Sequence, residues 1–224
     1  MPVSIKSGFD LLAEMKNDTS SYELLKEVFN LCNVPTGPSD VMSISATLED
    51  SLGTMAMVDY PYPTSFVEPL PAWPVNYACE QAAAAKVANE GENADLYAIA
   101  AAGSTFYNYA GQLTCLDTSS EQGGGLDGNG WGVLACNEMV MPFASNPETS
   151  IFPASTWNKK EHSATCEATM SEKPQYDWAL EYFGGINPTK DFMKASNIIF
   201  SNGELDPWQA GGVTFDLNDQ TIPI

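Results

Sequence analysis

Apolar residues recur at helical spacing through the first half of the chain. Ser20 and Glu23 fit a capping box. The apolar stripe after them predicts a helix that carries Leu24, Leu25, Val28, Phe29 and Cys32. A second stripe predicts a helix from about Asp40 with Val41, Ile44, Leu48, Leu52 and Met55 on its apolar face. Alanine-rich runs predict further helices at about 75–89 and 94–109, so the chain is expected to be mostly α-helical.

The segment 59–74 interrupts this helical pattern with five prolines, Pro61, Pro63, Pro69, Pro71 and Pro74. No helix tolerates prolines at that density, because each one removes a backbone donor and restricts the residue before it. We therefore expect a stiff, extended crossing. Its aromatic residues predict that the crossing is packed against the rest of the chain; they are Tyr60, Tyr62, Phe66 and Trp73.

The second half of the chain has a weaker pattern. Residues 118–130 are polar and glycine-rich and predict a loop, residues 131–143 are apolar without a decisive period, and residues 157–183 are helical in parts. The β-branched and aromatic run 197–200 predicts a buried strand, and the Ser-Asn-Gly sequence at 201–203 predicts the turn that ends it. A single strand is not stable alone, yet no convincing partner strand is visible.

Charge excludes one broad class of function. The chain has 224 residues, 29 acidic side chains and 9 basic ones, for a formal net charge of -20, and every basic residue is a lysine. A nucleic-acid-binding protein needs cations for the phosphates and arginine forks for base edges, so this class is excluded. The acidic excess also disfavours an anionic membrane surface and suits an acidic compartment. No apolar run is long enough to span a bilayer, and residues 1–9 do not predict a secretory signal.

The five cysteines are widely spaced and form no C-x-x-C pair, which excludes a zinc ribbon; they are Cys32, Cys79, Cys115, Cys136 and Cys166. Wide spacing suits disulfides of the secretory pathway, while buried thiols of a cytosolic protein remain an alternative. An odd number leaves one thiol free or without its partner. The sequence Asn17-Asp18-Thr19 permits glycosylation.

Common catalytic motifs are absent from the sequence, including G-x-S-x-G, the phosphate-binding loop and H-E-x-x-H. His162 is the only histidine, and its lysine- and glutamate-rich neighbours favour a solvated surface residue. Asp117-Thr118-Ser119 favours a local turn over half of an aspartic dyad. Residues 127–130 lack the later glutamate of a calcium loop. We therefore predict no metal site and no cofactor.

The strongest chemical signal is the sequence Ser-Asn-Gly-Glu-Leu-Asp-Pro-Trp at residues 201–208, directly after the predicted strand. In open α/β sheets, ligands and catalytic groups lie at the carboxyl ends of the strands. Asp206 could orient a histidine there, and Trp208 could line a small apolar pocket. The alternative is an ordinary turn in which the aspartate binds its own backbone.

Residues 195–208, continuing through Gly211-Gly212-Val213, closely resemble a signature of the serine peptidase family of lysosomal Pro-X carboxypeptidase and dipeptidyl peptidase II. Further landmarks occur in family order along nearly the whole chain. They are 56–62, 69–75 with Cys79, 107–109 with Cys115, Trp131 with Cys136 and Glu138, 142–144, and Cys166 upstream of Trp178 and Gly184-Gly185.

This resemblance implies an α/β-hydrolase-type peptidase with a large helical domain inserted between nucleophile and acid. Residues 1–190 would be the helical insertion, and residues 191–224 would be a partial hydrolase segment that carries the catalytic-acid loop. The fold would be incomplete, with one returning strand whose partners belong to sequence outside the chain.

The family implies acyl-enzyme cleavage of peptides next to proline, from one end. Asp206 matches the catalytic acid and Trp208 matches a residue of the proline pocket. Glu138 and Met141 are weaker candidates for the wall from the helical domain. The serine would lie before Met1 and the histidine beyond Ile224, because the chain order is serine, acid, histidine.

The resemblance further implies a peptide substrate with proline near the cleaved end and a lysosomal, vacuolar or extracellular parent protein, and it leaves a homodimer open. We expect the 224 residues alone to lack peptidase activity. The alternative is a non-catalytic helical module that binds peptides or dimerises. The sequence does not decide between carboxypeptidase and dipeptidyl peptidase activity.

Overall fold

The computed structural model describes residues 2–118, 128–217 and 221–223, and its described part is mostly helical. The α-helices are α1 (Pro2–Met15), α2 (Tyr22–Phe29), α3 (Pro38–Met57), α4 (Pro74–Ala88), α5 (Ala94–Tyr107), α6 (Gly128–Asn137), α7 (Lys159–Met170), α8 (Trp178–Phe183) and α9 (Pro188–Asp191). Two short strands, β1 (Ile198–Phe200) and β2 (Thr221–Pro223), and two 3₁₀ turns, Thr19–Ser21 and Pro207–Gly211, complete the elements. None of the described helices is both long and apolar enough to cross a membrane.

The chain divides into two compact units. The first holds the described residues up to 118 together with Ser145–Ser155, and the second holds the remaining described residues. The boundary expected near residue 190 divides the chain differently. It concerns the complete peptidase fold and stays a prediction.

Helix α5 forms the centre of the first unit, where it packs against α1, α2, α3 and α4. Its apolar residues are almost completely buried, among them Leu96, Ile99 and Phe106. Small residues allow neighbouring helices to come close: a Cβ atom on Gly8 of α1 would lie only 2.6 Å from Ile99 Cγ2. Lys86 Nζ of α4 lies 2.6 Å from Asp95 Oδ1 of α5 and joins the two helices at the edge of this core.

The predicted helices of this unit are confirmed, except that α2 ends at Phe29, before Cys32, and α3 buries Val41, Ile44, Leu48 and Met55. The predicted capping box is wrong. The backbone N–H of Ser20 donates to Asp18 Oδ1 at 3.0 Å, and Asp18 begins a 3₁₀ turn that leads into α2. The Asp18 carboxylate therefore caps the 3₁₀ turn, whereas no side-chain hydrogen bond caps α2 at Ser21.

The proline-rich crossing is free of helix between α3 and α4, as predicted. The expected packing of its aromatic residues is wrong, because Tyr62 and Phe66 are 57% and 63% exposed. A few other contacts hold the crossing in place instead. Leu70 is buried and pairs with Thr64 through two backbone hydrogen bonds, while Asp59 Oδ1 accepts the backbone N–H of Val75.

Two disulfides, Cys32–Cys115 and Cys136–Cys166, confirm the disulfide expectation, and Cys79 is a free, exposed cysteine. The first disulfide ties the end of α2 to the segment after α5. Parallel backbone pairing of Leu31 with Leu116 accompanies it. The second disulfide joins α6 to α7 within the second unit.

The predicted strand is confirmed as β1 in the second unit. It pairs in parallel with β2, with Ile199 opposite Ile222. The expectation that all its partners lie outside the chain is therefore wrong. A three-residue strand ending in proline carries too little alternation to be recognised from sequence. The predicted burial of β1 also fails in part, since Ile199 is 64% exposed.

Candidate active-site segment

Asp206 lies on the turn that follows β1, as the sequence predicted. Its Oδ1 accepts the backbone N–H of Trp208 at 2.9 Å, and its backbone carbonyl accepts the N–H of Gln209. Asp206 is thus the N-cap of the 3₁₀ turn Pro207–Gly211. The aspartate therefore makes the self-capping bond of an ordinary turn, and its carboxylate is exposed at the end of a strand.

The surrounding loop is held by further hydrogen bonds. Gln209 Nε2 donates to the carbonyl of Glu204 at 3.1 Å, and Asn202 Nδ2 donates to the carbonyl of Val213 at 2.8 Å. These bonds close the loop on itself beside an open depression of about 590 Å³, which Leu205, Asp206 and Thr214 help to line. The Asp206 carboxylate thus lies on a turn held by hydrogen bonds, at the edge of the open depression.

Trp208 lies against a second tryptophan, Trp131 on α6. The ring centroids are 6.2 Å apart and the planes cross at 78°, an edge-to-face arrangement. Both rings remain partly exposed, at 43% and 47%. Helix α6 and the loop thus bring two aromatic rings into contact, and one of them, Trp208, is two residues after Asp206 in the sequence. In the sequence, Trp131 is only a landmark of the family resemblance, and its place in an apolar run of uncertain period is the one signal for a role of its ring.

Glu138 and Met141 follow directly after α6. The backbone N–H of Glu138 donates to the carbonyl of Leu134 at 3.1 Å and extends the helix end, and both side chains are partly buried. No hydrogen bond joins Glu138 to Asp206 in the part of the chain that the structure describes. Their assignment to the pocket wall, like the catalytic and pocket roles of Asp206 and Trp208, stays a prediction.

His162 is partly buried, so the expected solvated surface position is wrong. Its ring packs against Trp157 and Tyr176, with centroids 5.7 and 5.9 Å away. The histidine lies at the start of α7, beside the disulfide of Cys166. His162 and Cys166 are four residues apart on α7, so the imidazole lies over the Cys166 sulfur. The charged neighbours in the sequence gave no indication of this contact. No hydrogen bond within the described residues joins it to Asp206.

The loop before β1 has its own capping carboxylate. The backbone N–H groups of Gly185 and Asn187 both donate to Asp191 Oδ2 at 3.0 Å. These two bonds hold the pKa of Asp191 below its usual range, with a further lowering by Lys190. A charged Asp191 therefore fixes the loop that leads into the strand and its aspartate turn.

Other site predictions fall on different parts of the chain. Residues 119–127 lie outside the described residues, and they include the glycine run, Ser119 and Asp127. Among the described residues, Cys136, His162 and Cys166 are a group whose ligand atoms lie within 4.8 Å of one another. The two sulfurs of this group are bonded to each other in this structure.

Asp206 offers one chemical group, an exposed carboxylate. An exposed carboxylate on a braced turn can accept the Nδ1–H of an imidazole and stabilise the imidazolium. It cannot by itself attack a carbonyl at a useful rate. Serine hydrolases with an α/β sheet carry catalytic groups beyond the carboxyl ends of strands, and Asp206 lies beyond the end of β1.

Comparison with known proteins identifies this class. The sequence profile of the serine carboxypeptidase S28 family matches residues 3–224. The chain belongs to the serine carboxypeptidase S28 family, and the predicted family resemblance is confirmed.

The chain is similar to lysosomal Pro-X carboxypeptidases. It is 36% identical to that of Bos taurus and 35% identical to that of Homo sapiens, over 221 residues in each case, which is 99% of this chain and 43% of the relative. The Caenorhabditis elegans prolyl carboxy peptidase like protein 5 is 31% identical over 228 residues, which cover 97% of this chain and 44% of the relative. The chain thus spans less than half the length of these curated relatives.

Proposed function

We propose that this chain supplies the catalytic aspartate and the helical substrate-side domain of a serine-type exopeptidase that cleaves next to proline. The observation that carries the proposal is Asp206, exposed on a braced turn at the end of β1 in a member of the S28 family. The relatives named Pro-X carboxypeptidase favour removal of a C-terminal residue that follows proline.

In this proposal the helical residues up to about 190 are the insertion of an α/β-hydrolase fold, and the strands that follow belong to its sheet. A serine attacks the scissile carbonyl, a histidine takes its proton, and Asp206 holds that histidine in the correct tautomer. His162 precedes Asp206, whereas the histidine of an α/β-hydrolase follows the acid. The nucleophile and the base therefore come from outside these 224 residues.

Aromatic rings account for the proposed preference for proline in the substrate. A proline ring is a compact apolar group that packs well on indole faces, and Trp208, two residues after Asp206, and Trp131, packed against Trp208, present partly exposed rings. Met141, with Glu138 beside it, is proposed to complete the wall from the side of α6. The lysosomal relatives and the two disulfides support a lysosomal or extracellular site for the parent protein.

The test uses the longest natural product that contains this chain. It is incubated with two matched peptides, one ending in Pro-Phe and one beginning with Ala-Pro, and the released amino acid or dipeptide is identified by mass spectrometry. We expect release of phenylalanine from the first peptide, blocked by a fluorophosphonate. Release of only the Ala-Pro dipeptide would reassign the cleaved end, and no turnover of either peptide would contradict the proposal.

The purified 224-residue chain is the matched comparison. Without a nucleophile and a base it should neither release phenylalanine nor react with a fluorophosphonate probe. Inhibitor-sensitive turnover by this chain would overturn the assignment of roles. Peptide binding without turnover by every product of the gene would favour the non-catalytic module instead.

A further inference from the structure

The first unit contains a pocket whose residues take no part in the proposed peptidase site. The pocket has a volume of about 330 Å³ and lies between α1, α3 and the loop Ser145–Ser155, which belongs to the same unit. Its walls are mostly apolar, with Phe9 from α1, Met42 from α3, and Ile151 and Phe152 from the loop. This volume is at the lower end of the range found for small-molecule sites.

The loop that forms one wall of this pocket is held in place by the chain itself. Two backbone hydrogen bonds of 3.0 and 3.1 Å join the residues at its two ends. Lys6 Nζ on α1 donates to the carbonyl of Pro147, and the ring of Phe152 packs against that of Phe9 with centroids 6.2 Å apart. The pocket is therefore largely preformed, as ligand sites usually are.

Two of the nine lysines line the pocket, Lys6 on α1 and Lys16 directly after the end of that helix. Both are partly buried. The chain has 29 acidic side chains, yet neither lysine forms an ion pair with a carboxylate of the described residues. An ammonium group has three donors, and Lys6 uses one of them on the carbonyl of Pro147. The apolar pocket thus carries two positive charges that can pair with an anion.

The other polar side chains of the lining are Asp10 and Ser45. Asp10 is exposed, and Ser45 Oγ already donates to Glu49 Oε1 at 3.1 Å. A peptide buried here would need hydrogen-bond partners for its backbone N–H and C=O groups, and these side chains offer few. A hydrocarbon chain needs none. The lining therefore favours an aliphatic ligand with a single negatively charged end.

We propose that this pocket binds a medium-chain aliphatic carboxylate, that is, a fatty acid. The hydrocarbon chain packs against Met42 and Phe152 and loses its contact with water, which supplies most of the affinity. The carboxylate pairs with the ammonium groups of Lys6 and Lys16 through charge-assisted hydrogen bonds, which select an anion over a neutral molecule of the same shape. This site is independent of the proposed peptidase activity.

Decanoate is the probe, and decanamide is its neutral counterpart. Calorimetric titration of the full chain at pH about 7, where the lysines and the carboxylate are charged, gives the dissociation constant of each. We expect one decanoate per chain and binding of decanamide weaker by about fivefold or more. Lys6→Gln/Lys16→Gln should weaken decanoate roughly tenfold and change decanamide by less than about twofold. Asp10→Asn should tighten decanoate by about twofold, because it removes a like charge.

The matched control is Lys26→Gln on α2, since Lys26 is also partly buried and forms no ion pair with a described carboxylate but does not line the pocket. It should leave the affinity for decanoate unchanged. A local readout fixes the position: in a spectrum of ¹³C-methyl methionine, decanoate should shift the signal of Met42 and not that of Met170 in the second unit. Equal affinity for decanoate and decanamide, an equal loss in Lys26→Gln, an unmoved Met42 signal, or no binding would overturn the proposal.

Discussion

A glycine on α1 sets how closely the first helix approaches the centre of the core. The ideal Cβ position on Gly8 lies 2.6 Å from Ile99 Cγ2 and 2.8 Å from the carbonyl oxygen of Asp95, both on α5. Neither atom is the far end of a flexible side chain. Gly8→Ala should therefore push the two helices apart at the point where Ile99 is completely buried.

The size of this effect follows from two opposing contributions. Alanine is favoured over glycine in a helix interior by about 1 kcal/mol. Inserting one methyl group into a packed core costs about 1–3 kcal/mol, and a backbone contact places Gly8 towards the upper end of that range. We expect a net destabilisation of about 1–2 kcal/mol. Gly53→Ala is the matched control, because its Cβ would meet nothing within 4 Å and should stabilise α3.

Urea unfolding followed by far-ultraviolet circular dichroism measures both variants against the original chain. Gly8→Ala should shift the midpoint to lower urea and Gly53→Ala to higher urea, with slopes unchanged, a gap of about 2–3 kcal/mol between them. If Gly8→Ala is as stable as Gly53→Ala, the close packing of α1 on α5 is refuted.

Three further predictions concern other parts of the structure. Burial raises the pKa of Glu49 above its ordinary value, although the Ser45 hydroxyl lowers it, so its contribution to stability is lost as pH rises through the folded pKa. Glu49→Gln should therefore raise the melting temperature at pH about 7 more than at pH about 4, and an equal change at both would contradict this. Cys32→Ser/Cys115→Ser should lower the free energy of unfolding by about 2–5 kcal/mol, measured in urea, because that disulfide closes a loop with a sequence separation of 83; a loss below this range would contradict the assignment. Trp131→Ala should remove the edge-to-face contact with Trp208 and reduce the near-ultraviolet circular dichroism of the coupled indoles, whereas an unchanged spectrum would contradict that contact.

Helical periodicity predicted α2 and α3, because the amphipathic stripe of each helix faces one core, and alanine-rich runs predicted α4 and α5; α1 was not predicted. In α3 the spacing from Val41 to Met55 is both the sequence signal and the buried face. Local chemistry was less informative. The capping box failed because Asp18 binds Ser20 and caps the 3₁₀ turn before α2, and a pairwise motif does not include such competitors.

Fewer features of the second unit and of the site could be predicted, because they depend on tertiary contacts between distant segments. The strand β2 is recognisable only from its pairing with β1, and pairing across twenty residues leaves no local pattern. The position of Asp206 could be predicted from the sequence because the strand, the turn and the aspartate follow one another along the chain. The contacts of Trp131 and of His162 are made between segments that are separate in the sequence. Local composition therefore predicted the wrong environment for His162 and no role for Trp131.

The most direct test of the proposed function is Asp206→Asn in the longest natural product that contains this chain. Asparagine keeps an oxygen that can accept the N–H of Trp208, so the turn should remain folded while the charge is lost. We predict a fall in kcat of about 10⁴-fold with an intact melting temperature, and a change within about twofold for the neighbouring control Glu204→Gln. Unchanged kcat in Asp206→Asn would contradict the account.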